Sequence, residues 1–440
     1  MRFLPFLAAA LAWGTASAQQ PASPPAPTPA QPPLSTAAER VYDHARPRIV
    51  QVRTLLVTAG RQSSIGSGFV VSADGLVITN YHVVSRFALD PKTYRLEYLA
   101  PDGAKGTLEL LAIDVAHDLA VVKVERGGLP YFAFDTRALA GALPKGERIY
   151  AIGNPLDLGF TIVEGTYNGL VDKSYDDRIH FSGSINAGMS GGPVAAADGR
   201  VVGVNVAKAV GGEQVGFLVP ARYAAQLLER ARKGPPLAAD KAREEVGRQL
   251  DAWQAAFYEA LKESGFRTGA VGPYLGLESA APWITCWAST NADAIPRPRT
   301  AASTTRCSST AGIFVSDRIL TGRLDINYSY LKAVDLNAFQ FAKELSQRSR
   351  GGADWRGRRM TAQECRDDFV AVGPGAPALR ATWCMRAYRE FEGLYDVTLL
   401  ALTQDRDREA LLASITMQGV SHANAVALGR RFLEAIEWRR

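Results

Sequence analysis

Residues 39–234 consist mainly of short apolar or alternating segments, each bounded by residues that favour turns. Representative segments are residues 49–57, 119–124 and 201–206, and turn signals lie at Ala73-Asp74-Gly75 and Ala197-Asp198-Gly199. Segments of this length suit strands better than helices, and the Asp-Gly pairs suit tight turns. Many short strands joined by tight turns predict a β-barrel or a β-sandwich for this half of the chain.

The N-terminus has the pattern of an export signal. Met1 and Arg2 give a positive end, residues 3–13 are apolar, and Ala16-Ser17-Ala18 forms a small-residue cleavage site. This pattern predicts a signal peptide over residues 1–18 that is removed after Ala18. No apolar run reaches the roughly 18 uninterrupted residues that a membrane-spanning helix needs. We therefore expect an exported protein that does not span the membrane.

Changes in composition divide the rest of the chain. Seven of the thirteen residues at 21–33 are Pro, which predicts an extended linker over residues 19–38. Every Cys, and every Trp beyond the signal peptide, falls after residue 250. Together with Gly234-Pro235-Pro236, this shift predicts a second linker at 235–240, between a domain at 39–234 and a domain at 241–440.

The second domain is predicted to mix helices and strands. Apolar residues recur at helical spacing in some segments, and alternating segments flank Glu390-Phe391-Glu392-Gly393. We expect helices over 241–264, 336–345 and 423–438, a loop over 288–305, and paired strands over 383–388 and 395–402. The prediction is a smaller α+β domain to which the sequence assigns no role.

The four cysteines are Cys286, Cys307, Cys365 and Cys384. An even number in an exported chain favours two disulfides over four free thiols. Three connectivities are open, and we take nearest-neighbour pairing, Cys286 with Cys307 and Cys365 with Cys384, as the prediction. No two of them form a Cys-x-x-Cys pair, which argues against a zinc site.

Composition excludes several classes of function. The 440 residues are 47% hydrophobic and 21% charged, which is ordinary for globular domains and excludes wholesale disorder. The 50 basic residues only slightly outnumber the 44 acidic ones and form no dense run, so no nucleic-acid partner is predicted. The Asp176-Asp177 pair suits Ca²⁺, but two acidic residues in a turn are ordinarily just solvated. No metal and no cofactor is predicted.

Three segments carry residues of reactive types. A predicted strand hairpin at 66–79 leads to His82, Asp118 precedes the β-branched segment 119–124, and Ser190 lies in the glycine-rich turn at 186–193. Each residue alone is commonly structural: a histidine after a strand, an aspartate in a turn, a serine between glycines. The three together, in the order His, Asp, Ser, predict a catalytic triad.

These are the residue types that acyl transfer requires. A Ser hydroxyl is a weak nucleophile until a base takes its proton, and His82 suits that role near neutral pH. Asp118 is expected to hold the other ring nitrogen. Gly188 and Gly191 let the chain turn tightly, so that the N–H groups of Gly188 and Ser190 converge on an oxyanion. The remaining histidines are predicted to be structural or exposed: His44, His117, His180 and His422.

With these motifs the sequence resembles the trypsin-like serine peptidases, and most closely their HtrA/Deg-type bacterial branch. The resemblance covers most of residues 39–234. It is carried in order by Gly66-Ser67-Gly68-Phe69, Thr79-Asn80-Tyr81-His82, His117-Asp118-Leu119-Ala120, Ala151-Ile152-Gly153-Asn154-Pro155 and the turn around Ser190. It implies an all-β double barrel, with two six-stranded antiparallel barrels and the triad in the cleft between them.

The resemblance also implies where substrate binds. The strand around Asn205 is expected to pair with the substrate backbone. Ile185 is expected to help line the pocket for the residue before the scissile bond, which favours small or medium apolar side chains there.

Two features depart from that family. Met189 precedes the nucleophile, where the family usually has Asn or Asp. Because Met cannot pair with a newly cut N-terminus, as the acid of digestive relatives does, we expect no activation by N-terminal cleavage beyond the signal peptide. Residues 240–440 show only a weak echo of a PDZ carboxylate-binding loop, Tyr274-Leu275-Gly276-Leu277, so PDZ-based assembly is not implied.

The sequence therefore predicts an exported serine endopeptidase that cuts proteins through an acyl-enzyme, in the periplasm or, alternatively, after secretion. Envelope protein quality control is the setting that the resemblance suggests, and the C-terminal domain would recruit substrate, bind a regulatory protein partner or regulate the cleft. One alternative is a catalytically weak or inactive barrel that serves as a scaffold, with function carried by the C-terminal domain. Another is a holdase-like chaperone.

Overall fold

The computed structural model describes residues 36–208, 215–349, 359–373 and 376–439, and Thr36–Arg440 forms one compact unit. The predicted signal peptide and most of the predicted linker at 19–38 lie outside the described residues. The last three residues of that linker, 36–38, instead begin helix α1 (Thr36–Ala45), because Ala38, Val41 and Ala45 share a buried face of the helix.

The first part of residues 39–234 is a closed antiparallel barrel with strand order β1-β2-β3-β6-β5-β4. Its elements are β1 (Ile49–Leu56), β2 (Arg61–Val70), β3 (Leu76–Thr79), α2 (Tyr81–Leu89), β4 (Tyr94–Leu99), β5 (Lys105–Asp114) and β6 (Leu119–Val124). Side chains that alternate along the strands fill the interior, and Val52, Val77 and Val122 are completely buried.

A second closed antiparallel barrel follows, with strand order β10-β11-β12-β9-β8-β7. Its elements are α3 (Thr136–Leu139), β7 (Arg148–Gly153), β8 (Thr161–Leu170), β9 (Ile179–Phe181), β10 (Pro193–Ala195), β11 (Val201–Lys208), β12 (Gly216–Pro220) and α4 (Ala221–Lys233). Two six-stranded barrels in sequence confirm the predicted double-barrel fold.

The rest of the chain is built around a seven-stranded antiparallel sheet of order β15-β16-β19-β23-β22-β21-β20. The strands β13, β14 and β24 form a small sheet, and β17 and β18 form a separate hairpin. The elements are α5 (Ala242–Glu263), β13 (Phe266–Val271), β14 (Tyr274–Ser279), β15 (Ile284–Thr290), β16 (Thr300–Ser309), β17 (Ile313–Ser316), β18 (Ile319–Thr321), β19 (Leu324–Ala333), α6 (Ala338–Arg348), β20 (Glu364–Val370), β21 (Leu379–Ala387), β22 (Leu394–Thr403), β23 (Glu409–Ser421), α7 (His422–Glu434) and β24 (Glu437–Trp438).

This part confirms the α+β prediction and corrects two of its details. The loop predicted over residues 288–305 is correct for 291–299 and wrong at its two ends, because residues 288–290 belong to β15 and residues 300–305 belong to β16. Their Ser, Thr and Ala side chains have no apolar alternation, yet the sheet supplies backbone partners. The final helix ends at Glu434 rather than 438, and Trp438 returns as a strand residue opposite Tyr274.

Both nearest-neighbour disulfides are present. Cys286–Cys307 joins directly opposed residues of β15 and β16, and Cys365–Cys384 does the same for β20 and β21. Each bridge thus links an edge strand of the seven-stranded sheet to its neighbour. Among the described residues, no helix is long and apolar enough to cross a membrane.

Helix α5 connects the C-terminal part to the first barrel. Its Val246 and Leu250 belong to the same apolar cluster as Val84 and Leu89 of α2. A fully buried side chain of this size contributes about 1.5–3 kcal/mol, so the two parts share a substantial core. On the same helix, Gln249 donates from Nε2 to the carbonyl of Ile113 at 2.9 Å and accepts from the N–H of Val115 at 2.8 Å. Helix α5 therefore holds the segment that leads to Asp118.

Candidate active site

His82 and Asp118 meet at one end of the first barrel. His82 lies in the first turn of α2, and Asp118 lies just before β6 in the left-handed region, with φ of 58°. Nδ1 of His82 is 2.7 Å from Oδ2 of Asp118, and the backbone N–H of His82 donates to Oδ1 at 2.8 Å. The side-chain amide of Asn80 donates to the carbonyl of Asp118 at 2.7 Å. The carboxylate is therefore fixed at both oxygens, which orients the imidazole.

Opposing influences set the pKa of His82, whose side chain is 27% exposed. Burial lowers it, since a charged imidazolium loses solvation. The charge of Asp118 and its hydrogen bond act in the opposite direction, and the charge of Asp317 adds to them. The net result is a pKa raised above the ordinary value of 6.5. Asp317 lies in the turn between β17 and β18 and accepts a 2.7 Å hydrogen bond from Nε of Arg86.

The turn around Ser190 depends on glycine at two positions. Gly188 and Gly191 have φ values of 94° and 84°, which L-residues with side chains rarely adopt. The N–H of Met189 donates to the carbonyl of Asn186 at 3.0 Å. Among the described residues, the N–H groups of Gly188 and Ser190 have no hydrogen-bond partner. Two neighbouring free N–H groups beside a serine hydroxyl are the hydrogen-bond donors that an oxyanion hole requires.

Ser67 of the first barrel holds this turn of the second barrel. Its N–H donates to the carbonyl of Ser190, and its hydroxyl donates to the carbonyl of Gly188, both at 2.7 Å. The same hydroxyl accepts from the N–H of Asn154 at 3.0 Å. Ser67 is completely buried, so these bonds are shielded from water. The sequence pattern Gly66-Ser67-Gly68 was visible, but it assigned no role to the serine.

Ser190 itself is not bonded to His82 in this structure. Its hydroxyl donates to the carbonyl of Val206 at 3.2 Å. No hydrogen bond joins Ser190 and His82 within the described part of the chain. Proton transfer to His82 requires this hydroxyl hydrogen to turn away from the carbonyl of Val206.

The two predicted substrate-binding residues, Ile185 and Asn205, are both buried in the second barrel. Ile185 is 3% exposed and belongs to the core of the second barrel. Asn205 is completely buried, and its amide nitrogen donates to the carbonyl of Ile152 at 2.9 Å and to that of Met189 at 3.3 Å. Its backbone groups pair with Gly191 and Gly192. A role of Ile185 and Asn205 toward substrate stays a prediction.

Met189 is completely buried in the same core. A Cβ on Gly153 would approach the Cα of Met189 to 2.6 Å, so the two backbones pack closely. The turn is therefore anchored by apolar packing at the position where the family usually has Asn or Asp.

The other acidic and histidine residues near the cleft have protein partners. His117 contacts Asp114 at 3.0 Å and stacks on the ring of Tyr223. Asp177 pairs with Arg222, and burial raises the pKa of Asp176, which accepts from the indole N–H of Trp253. No group of three or more potential metal ligands occurs in the described ranges.

Residues 66–204 match the family model of the trypsin-like peptidase domain. The chain is 34% identical over 178 residues to a "Probable periplasmic serine endoprotease DegP-like" of Chlamydia muridarum, covering 39% of this chain and 34% of that protein. It is 36% identical over 177 residues to the "Putative serine protease HhoB" of Synechocystis sp., covering 38% of this chain and 40% of that protein.

A crystal structure of the serine endoprotease from Yersinia pestis is 25% identical, with a TM-score of 0.40, over 47% of this chain and 70% of that chain. The chain spans about a third of the length of the curated DegP-like relatives that it matches.

The matched domain and the two closed barrels define this part of the chain as a trypsin-like peptidase domain. Within this domain the chain is similar to the DegP-like and HhoB serine proteases named above.

The charge of Asp317 generates a prediction for the pKa of His82. Replacing Asp317 with Asn removes a negative charge that favours the imidazolium and leaves Arg86 without its carboxylate partner. Both changes disfavour the protonated form, so the pKa of His82 falls. NMR titration of the imidazole, assigned with His82→Gln, measures this shift. Asp102→Asn, on an exposed turn of the first barrel, serves as the control and should leave the pKa unchanged.

Proposed function

We propose that this protein is an exported serine endopeptidase that hydrolyses peptide bonds in proteins with a triad of Ser190, His82 and Asp118. The observation that carries the proposal is the 2.7 Å pair of His82 and Asp118, together with a turn that leaves the N–H groups of Gly188 and Ser190 free. A base, a nucleophile and oxyanion donors are the minimum set for acyl transfer.

The reaction proceeds in two matched halves. His82 takes the hydroxyl proton as Oγ of Ser190 attacks the substrate carbonyl, and the N–H groups of Gly188 and Ser190 stabilise the oxyanion. His82 then gives the proton to the leaving amine, the C–N bond breaks and an acyl-enzyme remains. In the second half, water attacks the ester carbonyl while His82 takes its proton. His82 then returns that proton to Oγ of Ser190 as the ester bond breaks, which releases the carboxylic acid and restores the serine. Asp118 keeps the imidazole in one tautomer and stabilises its charged form.

The proposed setting follows from the curated relatives and from the N-terminal sequence. The DegP-like relatives are described as probable periplasmic endoproteases, and residues 1–18 have the pattern of a signal peptide. We place the protein in the periplasm, with secretion as the alternative, and assign it to envelope protein quality control. Its substrates are then unfolded or flexible protein segments, and a regulatory protein partner would act through residues 241–440.

The second candidate function is that of a scaffold protein whose double barrel is catalytically inactive, and one observation favours it. The hydroxyl of Ser190 is bonded to Val206 and not to His82, so the nucleophile is unactivated in this conformation. A resting enzyme and a scaffold share this geometry, and they differ in whether Ser190 ever reacts.

Labelling with a fluorophosphonate probe decides between them. Wild-type mature protein is expected to be labelled, because the probe reacts with activated serines. Ser190→Ala should not be labelled, and His82→Ala should react at least 100-fold more slowly because it lacks the base. The readout is the rate of probe incorporation, measured by intact-protein mass.

Ser184→Ala is the matched control, since Ser184 is an exposed serine six residues before the nucleophile. It should be labelled like the wild type. Folded wild-type protein that is never labelled would favour the scaffold, and labelling that survives Ser190→Ala would show that another residue reacts.

The glycine at 188 provides a test of the oxyanion hole. A Cβ at Gly188 would collide with the carbonyl of Asn154, so the turn must shift and its N–H groups lose their positions. We expect Gly188→Ala to lower the labelling rate by about 100-fold, the effect of losing one oxyanion donor. Gly60→Ala, also at positive φ but in open space, should label within about twofold of the wild type. Equal rates for the two variants would contradict the assignment of Gly188.

A further inference from the structure

The β17–β18 hairpin of the C-terminal part reaches the active-site region and is fastened there. The hydroxyl of Tyr81, the residue before His82, donates to the carbonyl of Val315 at 3.0 Å. Asp317 bonds Arg86 of the same helix at 2.7 Å. Just before the hairpin, Thr310 donates to the carbonyl of Lys173 in the second barrel at 2.6 Å. The hairpin therefore has a fixed position relative to both barrels.

The hairpin brings an aromatic ring to the catalytic histidine. The ring of Phe314 meets the imidazole of His82 edge to face, with 5.7 Å between centroids. Phe314 is half-buried, which leaves part of its surface facing open space. The side chain of Leu320, on the other strand of the hairpin, is 70% exposed. Large exposed apolar side chains beside a catalytic group indicate a surface that is covered when substrate binds.

A cavity of about 580 Å³ lies between these residues and the barrels. Its walls come from three sources: His82 and Asp118 of the first barrel, Val206 and Phe217 of the second, and Phe314 and Leu320 of the hairpin. Most of the wall is apolar, and Ser174, Asp176, Arg178 and Thr310 add polar groups to those of His82 and Asp118. A concave site of this size, with aromatic walls and a catalytic group at its edge, suits a large apolar side chain.

We propose that the β17–β18 hairpin is part of the substrate-binding cleft, and that Phe314 and Leu320 form a subsite for a large apolar side chain of the substrate. This inference rests on the proposed peptidase function and adds a specificity determinant to it. We assign this subsite to a substrate residue other than the one before the scissile bond, because Ile185, which the family resemblance associates with that residue, does not line this cavity. The C-terminal part then contributes directly to substrate choice.

Peptidyl phosphonates that react covalently with an activated serine test the subsite. Each peptide carries Val as the residue that bears the phosphonate. Members of the set have either Ala or Phe at the second or the third residue, counted from the phosphonate. We expect the wild type to react at least 10-fold faster with Phe than with Ala at one of these positions. The measured quantity is this ratio of rates, in which any change in the reactivity of Ser190 itself cancels.

Three variants locate the source of the preference. Phe314→Ala should reduce the ratio to about twofold or less, and Phe314→Leu should retain an intermediate ratio because it keeps an apolar wall. Leu320→Ala should also reduce the ratio, and its folding is secure because the side chain is exposed. Phe339→Ala removes an exposed phenylalanine of α6 and should keep the wild-type ratio.

Each result separates the subsite from the proposed function. A wild type with no preference, or an unchanged preference in Phe314→Ala and Leu320→Ala, would overturn the subsite while leaving the peptidase intact. Equal acceleration with every phosphonate in both variants would show that the hairpin is an obstructing lid instead. A wild type that reacts with a simple fluorophosphonate but with no peptidyl phosphonate would also overturn the subsite. Failure to react with either probe would contradict the proposed function, and the subsite would fall with it.

Discussion

The active site depends first on the hydrogen bonds that Ser67 makes across the two barrels. This one residue of the first barrel holds the carbonyls of Gly188 and Ser190, and it is buried where water cannot compete. Buried hydrogen-bonding groups are costly to leave without partners, so these bonds favour a single relative orientation of the two barrels. A carbonyl shares its peptide plane with the N–H of the next residue, so Ser67 fixes the peptide groups that directly follow Gly188 and Ser190. The carbonyls of Ala187 and Met189, which share their planes with the two candidate oxyanion donors, accept from the N–H groups of Leu156 and Gly192. The barrel that carries His82 and Asp118 therefore holds the turn, and bonds within the second barrel orient the donors.

The C-terminal part acts on the same site from two directions. Gln249 of α5 holds the backbone at Ile113 and Val115, just before Asp118. From the other side, the β17–β18 hairpin places Asp317 where its charge raises the pKa of His82. In the proposed mechanism a more basic His82 accepts a proton more readily but is neutral only at higher pH, so the charge of Asp317 shifts the working range of the proposed base upward. The C-terminal part thus contacts the candidate catalytic pair from two sides, in addition to its covalent linkage to the barrels.

The sequence revealed the parts of the site that lie within short segments. His82, Asp118, Ser190 and the glycine turn were predicted together as a set, and the family resemblance that their motifs carry implied the double barrel. Contacts between distant segments left no such signal: Arg86 and Asp317 are 231 positions apart, and neither lies in a recognisable motif. Composition also misled at residues 288–290 and 300–305, where small polar residues suggested a loop although the sheet pairs them in register.

The central claim is that Ser190 leaves Val206 and reacts within a formed oxyanion hole. A crystal structure of the protein phosphonylated by a peptidyl phosphonate tests this claim most directly. The account predicts phosphorus bonded to Oγ of Ser190, with the phosphonyl oxygen about 2.7–3.1 Å from the backbone nitrogens of Gly188 and Ser190. An adduct on another residue, or a phosphonyl oxygen directed away from both nitrogens, would contradict it.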